Sequence, residues 1–196
     1  PSVIRYITDT EGNVLYEYQP AHSRVMSEEN AYILTSMLKS VVSEGTGHRL
    51  NTLNIPIAGK TGTVGTAEGN RDAWMASYTP DYTAVVWMGY DNDNLGILPA
   101  QATGGTYPAM MLYKLYSYLY PEGYSKEFDR PEGVREYSID AYSLNMLHKT
   151  ALANVFTPEE SRITELFTAA TAPGVTTGYW AIPASAQNFT ASSYDG

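Results

Sequence analysis

The chain has 196 residues, 43% hydrophobic and 17% charged, enough for one domain with a sizeable core and unlike a disordered or coiled-coil composition. Its 21 acidic and 12 basic residues leave a net charge of −9 with no basic cluster, which argues against nucleic acid as a partner. Cysteine is absent, so disulfides, thiolate catalysis and cysteine metal sites are excluded, and no apolar run is long enough to span a bilayer.

In chain order, residues 3–8 and 14–18 are strand-like, and the turn-rich stretch 9–13 with Gly12 and Asn13 joins them as a hairpin. Ser27 is placed to cap a helix whose first turn holds Glu28 and Glu29. Ile33, Leu34, Met37, Leu38, Val41 and Val42 then fall on one helical stripe, expected to face the core, and Gly45 and Gly47 end the helix. Three strands are expected at 55–65, 74–78 and 82–90, with Thr79-Pro80-Asp81 as a turn. The last of them is apolar on both faces through Val85, Val86 and Trp87, which predicts a central place in the sheet. A second helix opens at Thr106 with Pro108 in its first turn and turns Met111, Leu112, Leu115, Tyr116 and Leu119 to the core. Beyond Pro121 the pattern weakens, and residues 185–196 are expected to form a loose tail.

The most informative residues are Ala58-Gly59-Lys60-Thr61-Gly62-Thr63. A phosphate-binding loop needs glycine where Asn54 stands and a helix starting at the lysine, whereas Pro56 and the threonines favour extended chain. On a strand, the same residues suit a carboxylate. Lysine supplies positive potential, threonine hydroxyls donate hydrogen bonds, and glycine lets a substrate approach the backbone.

In this setting the chain resembles the class A penicillin-binding proteins. The resemblance rests on Ile55-Pro56-Ile57-Ala58-Gly59-Lys60-Thr61-Gly62-Thr63, Asp72-Ala73-Trp74-Met75, Tyr78-Thr79-Pro80 and Val86-Trp87-Met88-Gly89-Tyr90-Asp91. Gly45-Thr46-Gly47, Gly104-Gly105 and Arg130-Pro131-Glu132-Gly133-Val134 add to it. It implies an α/β fold, an antiparallel sheet flanked by helices, as the C-terminal portion of a β-lactamase or D,D-transpeptidase-like architecture. It also implies division into a transpeptidase part, 1–137, and an extension, 138–196, loosely structured towards its end. The implied activity is cross-linking of peptidoglycan stem peptides ending in D-Ala-D-Ala through an acyl-serine, with β-lactams attacking the same serine and no cofactor. By the resemblance, Lys60 and Thr61 meet the terminal carboxylate, Gly62 leaves room for substrate, and Thr63 adds its hydroxyl to that contact and its backbone N–H to the oxyanion hole. The implied location is the extracytoplasmic face of the bacterial membrane, with an N-terminal anchor.

The family's Ser-x-x-Lys and Ser-x-Asn motifs precede Lys-Thr-Gly, and neither stands in order here. Ser36-Met37-Leu38-Lys39 lies only 24 residues before Lys60 and off the apolar stripe, so a solvated helix surface is expected. Ser143-Leu144-Asn145 follows Lys-Thr-Gly and reads as coincidence. The nucleophile is therefore expected upstream of Pro1, the chain alone is expected to be inactive, and its exposed apolar surface is expected to meet the missing half or a second copy. A non-catalytic scaffold derived from the family, or a serine carboxypeptidase or β-lactamase-like hydrolase, stands as the alternative.

Other motifs carry less. Asp91-Asn92-Asp93-Asn94 begins like a calcium loop, but Leu95 and Ala102 stand where ligands belong. His22, His48 and His148 lack metal-ligand spacing. Trp74 and Trp87 are expected in the core, Arg71 and Asp72 at the edge of the cleft or equally as a surface ion pair, and the sequon Asn188-Phe189-Thr190 as meaningless in a bacterial-looking tail.

Overall fold

The computed structural model describes residues 3–20, 23–121, 124 and 126–180. His22, the tail at 185–196 and the sequon within it lie outside the described residues.

The expected hairpin forms from β1 (Tyr6–Thr8) and β2 (Val14–Glu17), antiparallel with a register shift at Ile7/Thr8. The Asp9 carboxylate accepts the backbone N–H of Glu11 and Asn13, and Gly12 adopts φ +89°, a conformation that glycine enters without strain. Every residue of both strands is exposed.

Helix α1 (Glu28–Ser43) begins where expected, with the Ser27 hydroxyl accepting the Asn30 N–H. Its buried line differs from the expected stripe. Thr35 and Val42 are buried, whereas Leu34 and Met37 are exposed. The Thr35 hydroxyl satisfies itself on the Ala31 carbonyl and the Tyr78 hydroxyl, so a polar residue occupies the contact face at little cost.

The three expected strands pair in the order β3 (Ala58–Gly65), β4 (Asn70–Tyr78), β5 (Thr83–Gly89), all antiparallel. Here β4 is the middle strand, and β5, expected to be central, lies at an edge. Alternate residues of β4 explain the sheet: Ala73, Met75 and Ser77 are buried, while Trp74 and Ala76 between them face out. Among the described residues only one face of the sheet is covered, so the apolar residues on both faces of β5 do not require a buried strand. Val85 and Trp87 stand on the open face, and Trp74 and Trp87, expected in the core, are 43% and 40% exposed.

The covered face meets α1, the 3₁₀ segment His48–Leu53 and α2 (Tyr107–Leu119). Val42, Leu50, Ile57, Met75, Ala109, Leu112 and Tyr116 form the main core. In α2, Pro108, Ala109, Leu112 and Tyr116 are buried, while Met111 and Leu115, expected inside, are exposed. A smaller core of Ala73, Leu98 and Ala102 anchors the loop ahead of α2.

The weakly patterned C-terminal part forms a second antiparallel pair, β6 (Val134–Asp140) with β7 (Arg162–Thr168), and a short helix α3 (Ala141–Leu147) between them. β6 runs across the expected division between residues 137 and 138. At its end, fully buried Asp140 caps α3 through the N–H groups of Tyr142 and Ser143.

Candidate functional site

Among the described residues β3 has a neighbouring strand on one side only, so its other edge is open there, and Lys60, Thr61, Gly62 and Thr63 lie along it. Ala58 and Gly59 are buried, and exposure begins at Lys60. The strand thus leaves the core at the residues singled out from the sequence. Lys60 shares its sheet face with Ala76, while Thr61 and Thr63 share theirs with Met75 and Ala73. The Lys60 ammonium curls over to the Thr61 carbonyl at 3.0 Å, so a cation is held at the open edge itself. The two-residue period of the strand turns the Thr63 N–H to the same side as the Thr61 carbonyl that takes this bond.

Each threonine hydroxyl is held from the covered face. Thr61 Oγ1 lies 2.6 Å from Thr46 Oγ1, on the turn that follows α1. Thr63 Oγ1 accepts the Gly104 N–H at 3.2 Å, from the loop ahead of α2. Glycines make the approach possible: a Cβ on Gly104 would stand 2.1 Å from the Trp74 carbonyl oxygen, and one on Gly105 would stand 2.3 Å from that of Thr46. The loop is itself tied to β4, because the Asn70 amide donates to the Ala100 and Ala102 carbonyls and the Asn70 and Leu98 backbones exchange hydrogen bonds. Thr106 also serves this loop. Its hydroxyl accepts the Thr103 N–H, lies within donating distance of the Gln101 and Thr103 carbonyls, and makes no cap bond to α2. The supporting role of Thr46 was not legible in the sequence, where Gly45-Thr46-Gly47 reads only as a helix end and a family-like tripeptide.

The two motif look-alikes fall elsewhere. Ser36 and Lys39 line a groove of about 330 Å³ with Thr35, Ile57, Glu127 and Phe128, and none of residues 60–63 contributes to it. This face of α1 is partly covered rather than the plain solvated surface expected, and Lys39 is paired with Glu127 at 3.1 Å. Ser143 is buried, its hydroxyl donating to Asp140 and meeting Thr177 at 2.9 Å. Arg71 pairs with Asp72 at 3.0 Å, and Trp87 Nε1 donates to the same carboxylate; these bonds hold the Asp72 carboxyl below its usual range. Among the described residues, no group of His, Asp or Glu is arranged to hold a metal ion, and no helix is long and apolar enough to cross a membrane.

The family described as penicillin binding protein transpeptidase domain matches residues 1–116. The chain belongs to this family. It is 29% identical over 184 residues to penicillin-binding protein 1A/1B of Bacillus subtilis, an overlap of 88% of this chain and 19% of that protein. It is 34% identical over 140 residues to penicillin-binding protein 1F of the same organism, 69% of this chain and 19% of the relative. With penicillin-binding protein 1B of Vibrio cholerae it shares 34% identity over 139 residues, 69% of this chain and 17% of the relative. The chain thus spans about a fifth of the length of these relatives. In fold it is similar to penicillin-binding protein 1A from Haemophilus influenzae, with a TM-score of 0.61 at 21% identity, over 90% of this chain and 30% of that structure. The antiparallel sheet flanked by helices is therefore the fold of the family.

Proposed function

We propose that this chain forms the carboxylate-binding wall of a serine-type D,D-transpeptidase, with the nucleophile supplied from outside residues 1–196. The observation that carries the reading is the open edge of β3, where the Lys60 ammonium, two oriented threonine hydroxyls and the Thr63 N–H converge. A peptide carboxylate is neutralised by the lysine and takes hydrogen bonds from Thr61 and Thr63. Gly62 carries no side chain of its own beside Trp74, which lets the substrate backbone approach the strand. The Thr63 N–H donates to the oxyanion that forms when the acyl carbonyl is attacked.

The substrate class is a peptidoglycan stem peptide ending in D-Ala-D-Ala, and β-lactams acylate the same serine, on the extracytoplasmic face of a membrane-anchored parent protein. The reading also divides the chain into a transpeptidase part up to about residue 137 and an extension beyond it, with β6 crossing that line to pair with β7. Exposed apolar residues on the hairpin and on α1, among them Leu15, Tyr16, Leu34 and Met37, support contact with the remainder of the transpeptidase domain.

Intact mass after incubation with benzylpenicillin tests this. No adduct on residues 1–196 and one per chain on the full-length protein is the expected result. A one-to-one adduct on residues 1–196 alone would overturn the external nucleophile and point to Ser36. A full-length protein that stays unlabelled would favour a non-catalytic binding role.

A further inference from the structure

Carboxylate binding at residues 60–63 requires a defined direction of proton donation. A threonine hydroxyl has a single hydrogen, so it donates once and otherwise accepts. Thr61 Oγ1 and Thr46 Oγ1 lie 2.6 Å apart, and either atom is able to donate. When a carboxylate takes the Thr61 hydrogen, this contact survives only with Thr46 as the donor, because a carboxylate accepts and never donates. We propose that Thr46 is a positioning residue for carboxylate recognition, its hydroxyl donating to Thr61 Oγ1 so that the Thr61 hydrogen is turned to the ligand.

Three features make this a built arrangement. The turn carrying Thr46 is fixed, because the Gly47 N–H donates to the Val41 carbonyl, and Gly105 packs so closely that a Cβ there would meet the Thr46 carbonyl oxygen at 2.3 Å. Thr63 is oriented in the same manner: its oxygen accepts from the Gly104 N–H, which leaves its own hydrogen to give. Thr46 itself is exposed and so is its contact with Thr61, which therefore lies within reach of a ligand and not within the core. A chain of donors, Thr46 to Thr61 to ligand, also strengthens the outer bond, since each hydrogen bond polarises the next.

The proposal rests on the reading that residues 60–63 bind a carboxylate, and the experiment separates the two. Second-order acylation rates of the full-length protein are measured with benzylpenicillin, which carries the carboxylate, and with its methyl ester, which does not. Thr46→Val keeps the shape and removes the donor. It is expected to slow the reaction with benzylpenicillin about fivefold, the worth of one oriented hydrogen bond, and to leave the ester rate and the melting temperature unchanged. Thr46→Ser, which restores the hydroxyl, is expected to recover the rate. Equal slowing of both lactams, no slowing of either, or failure of serine to rescue would overturn the positioning role while the carboxylate site stands. A wild-type protein that reacts with neither lactam would overturn both.

Discussion

The Ser77 hydroxyl on the middle strand meets the Tyr116 hydroxyl of α2 at 2.9 Å, with both residues buried. This one contact joins the helix layer to the strand that carries β3 on its other side. Burial raises the Tyr116 pKa, an effect that the Ser77 hydrogen bond partly offsets. The two hydroxyls satisfy each other, so removing one strands the other. Ser77→Ala is expected to cost about 1–3 kcal/mol, because the Tyr116 hydroxyl stays buried without its partner. The pair Ser77→Ala with Tyr116→Phe is expected to be less destabilised than the sum of the single changes. Urea unfolding of the four proteins measures the difference, and strict additivity would show that the hydroxyls do not depend on each other.

A second buried contact sets an acid limit. Burial pushes the Asp140 carboxyl upwards, but hydrogen bonds from Ser143, Trp180 and Thr177, and from the Ser143 N–H, outweigh it and hold the pKa at about 2. A folded-state pKa below the unfolded one stabilises the fold fully above the unfolded value, and this contribution is lost as pH falls through the folded value. The β6–β7 unit is therefore expected to hold its stability above about pH 4 and to lose this contribution between about pH 4 and 2. In Asp140→Asn that part of the pH dependence disappears, while at neutral pH the variant is less stable than the parent. Trp180 fluorescence against pH reads both, and an unchanged acid profile in the variant would move the acid sensitivity to another group.

Local signals carried much of the fold. The hairpin turn at Asp9–Asn13, the Ser27 cap and the β4–β5 turn each arise from residues within a few positions, and each stands where the sequence placed it. What misled was the assumption that apolar means covered. Leu34, Met37, Met111, Leu115, Val85 and Trp87 follow the right periods, yet these residues give no clue as to which face the rest of the chain covers. Conversely, Thr35 and Ser77 are buried because hydroxyl partners arrive from 43 and 39 residues away, a pairing that no local pattern encodes. The β6–β7 pair escaped notice for a similar reason, since its strands have mixed exposure and find their register through long-range contacts. At the candidate site, Lys60–Thr63 stand out in the sequence through their resemblance to the family's Lys-Thr-Gly strand, whereas the support from Thr46 and Gly104 exists only once three segments meet.

The exposed apolar residues yield a solution prediction. Both strands of the hairpin are exposed throughout, and Val14, Leu15 and Tyr16 are 61%, 68% and 47% exposed. A two-stranded hairpin is marginal in water on its own. Residues 1–196 in isolation are expected to self-associate, and addition of the remainder of the proposed transpeptidase domain is expected to replace that contact. Light scattering with and without the added part checks it; a monodisperse monomer at high concentration would show that this surface needs no cover.

The last prediction concerns the loop that steadies β3. A Cβ added at Gly104 would lie 2.1 Å from the Trp74 carbonyl oxygen, 3.0 Å from Thr61 Cβ and 3.1 Å from the Gly62 nitrogen. Two of these three neighbours are backbone atoms in the β3–β4 ladder, so no side chain is able to swing away. Gly104→Ala must therefore move the loop off the strand, which breaks the Gly104 N–H bond to Thr63, or bend the strand at Gly62. Either route is expected to cost about 1–3 kcal/mol of stability, the usual penalty for overpacking. It also displaces both threonine hydroxyls, so benzylpenicillin acylation of the full-length protein is expected to fall more than tenfold, beyond the loss in Thr46→Val. Gly65→Ala is the control, since a Cβ there meets only the Asn70 side chain, at 3.6 Å. If the two alanine variants lose stability and acylation rate equally, the tight packing of Gly104 against β3 does not hold in solution.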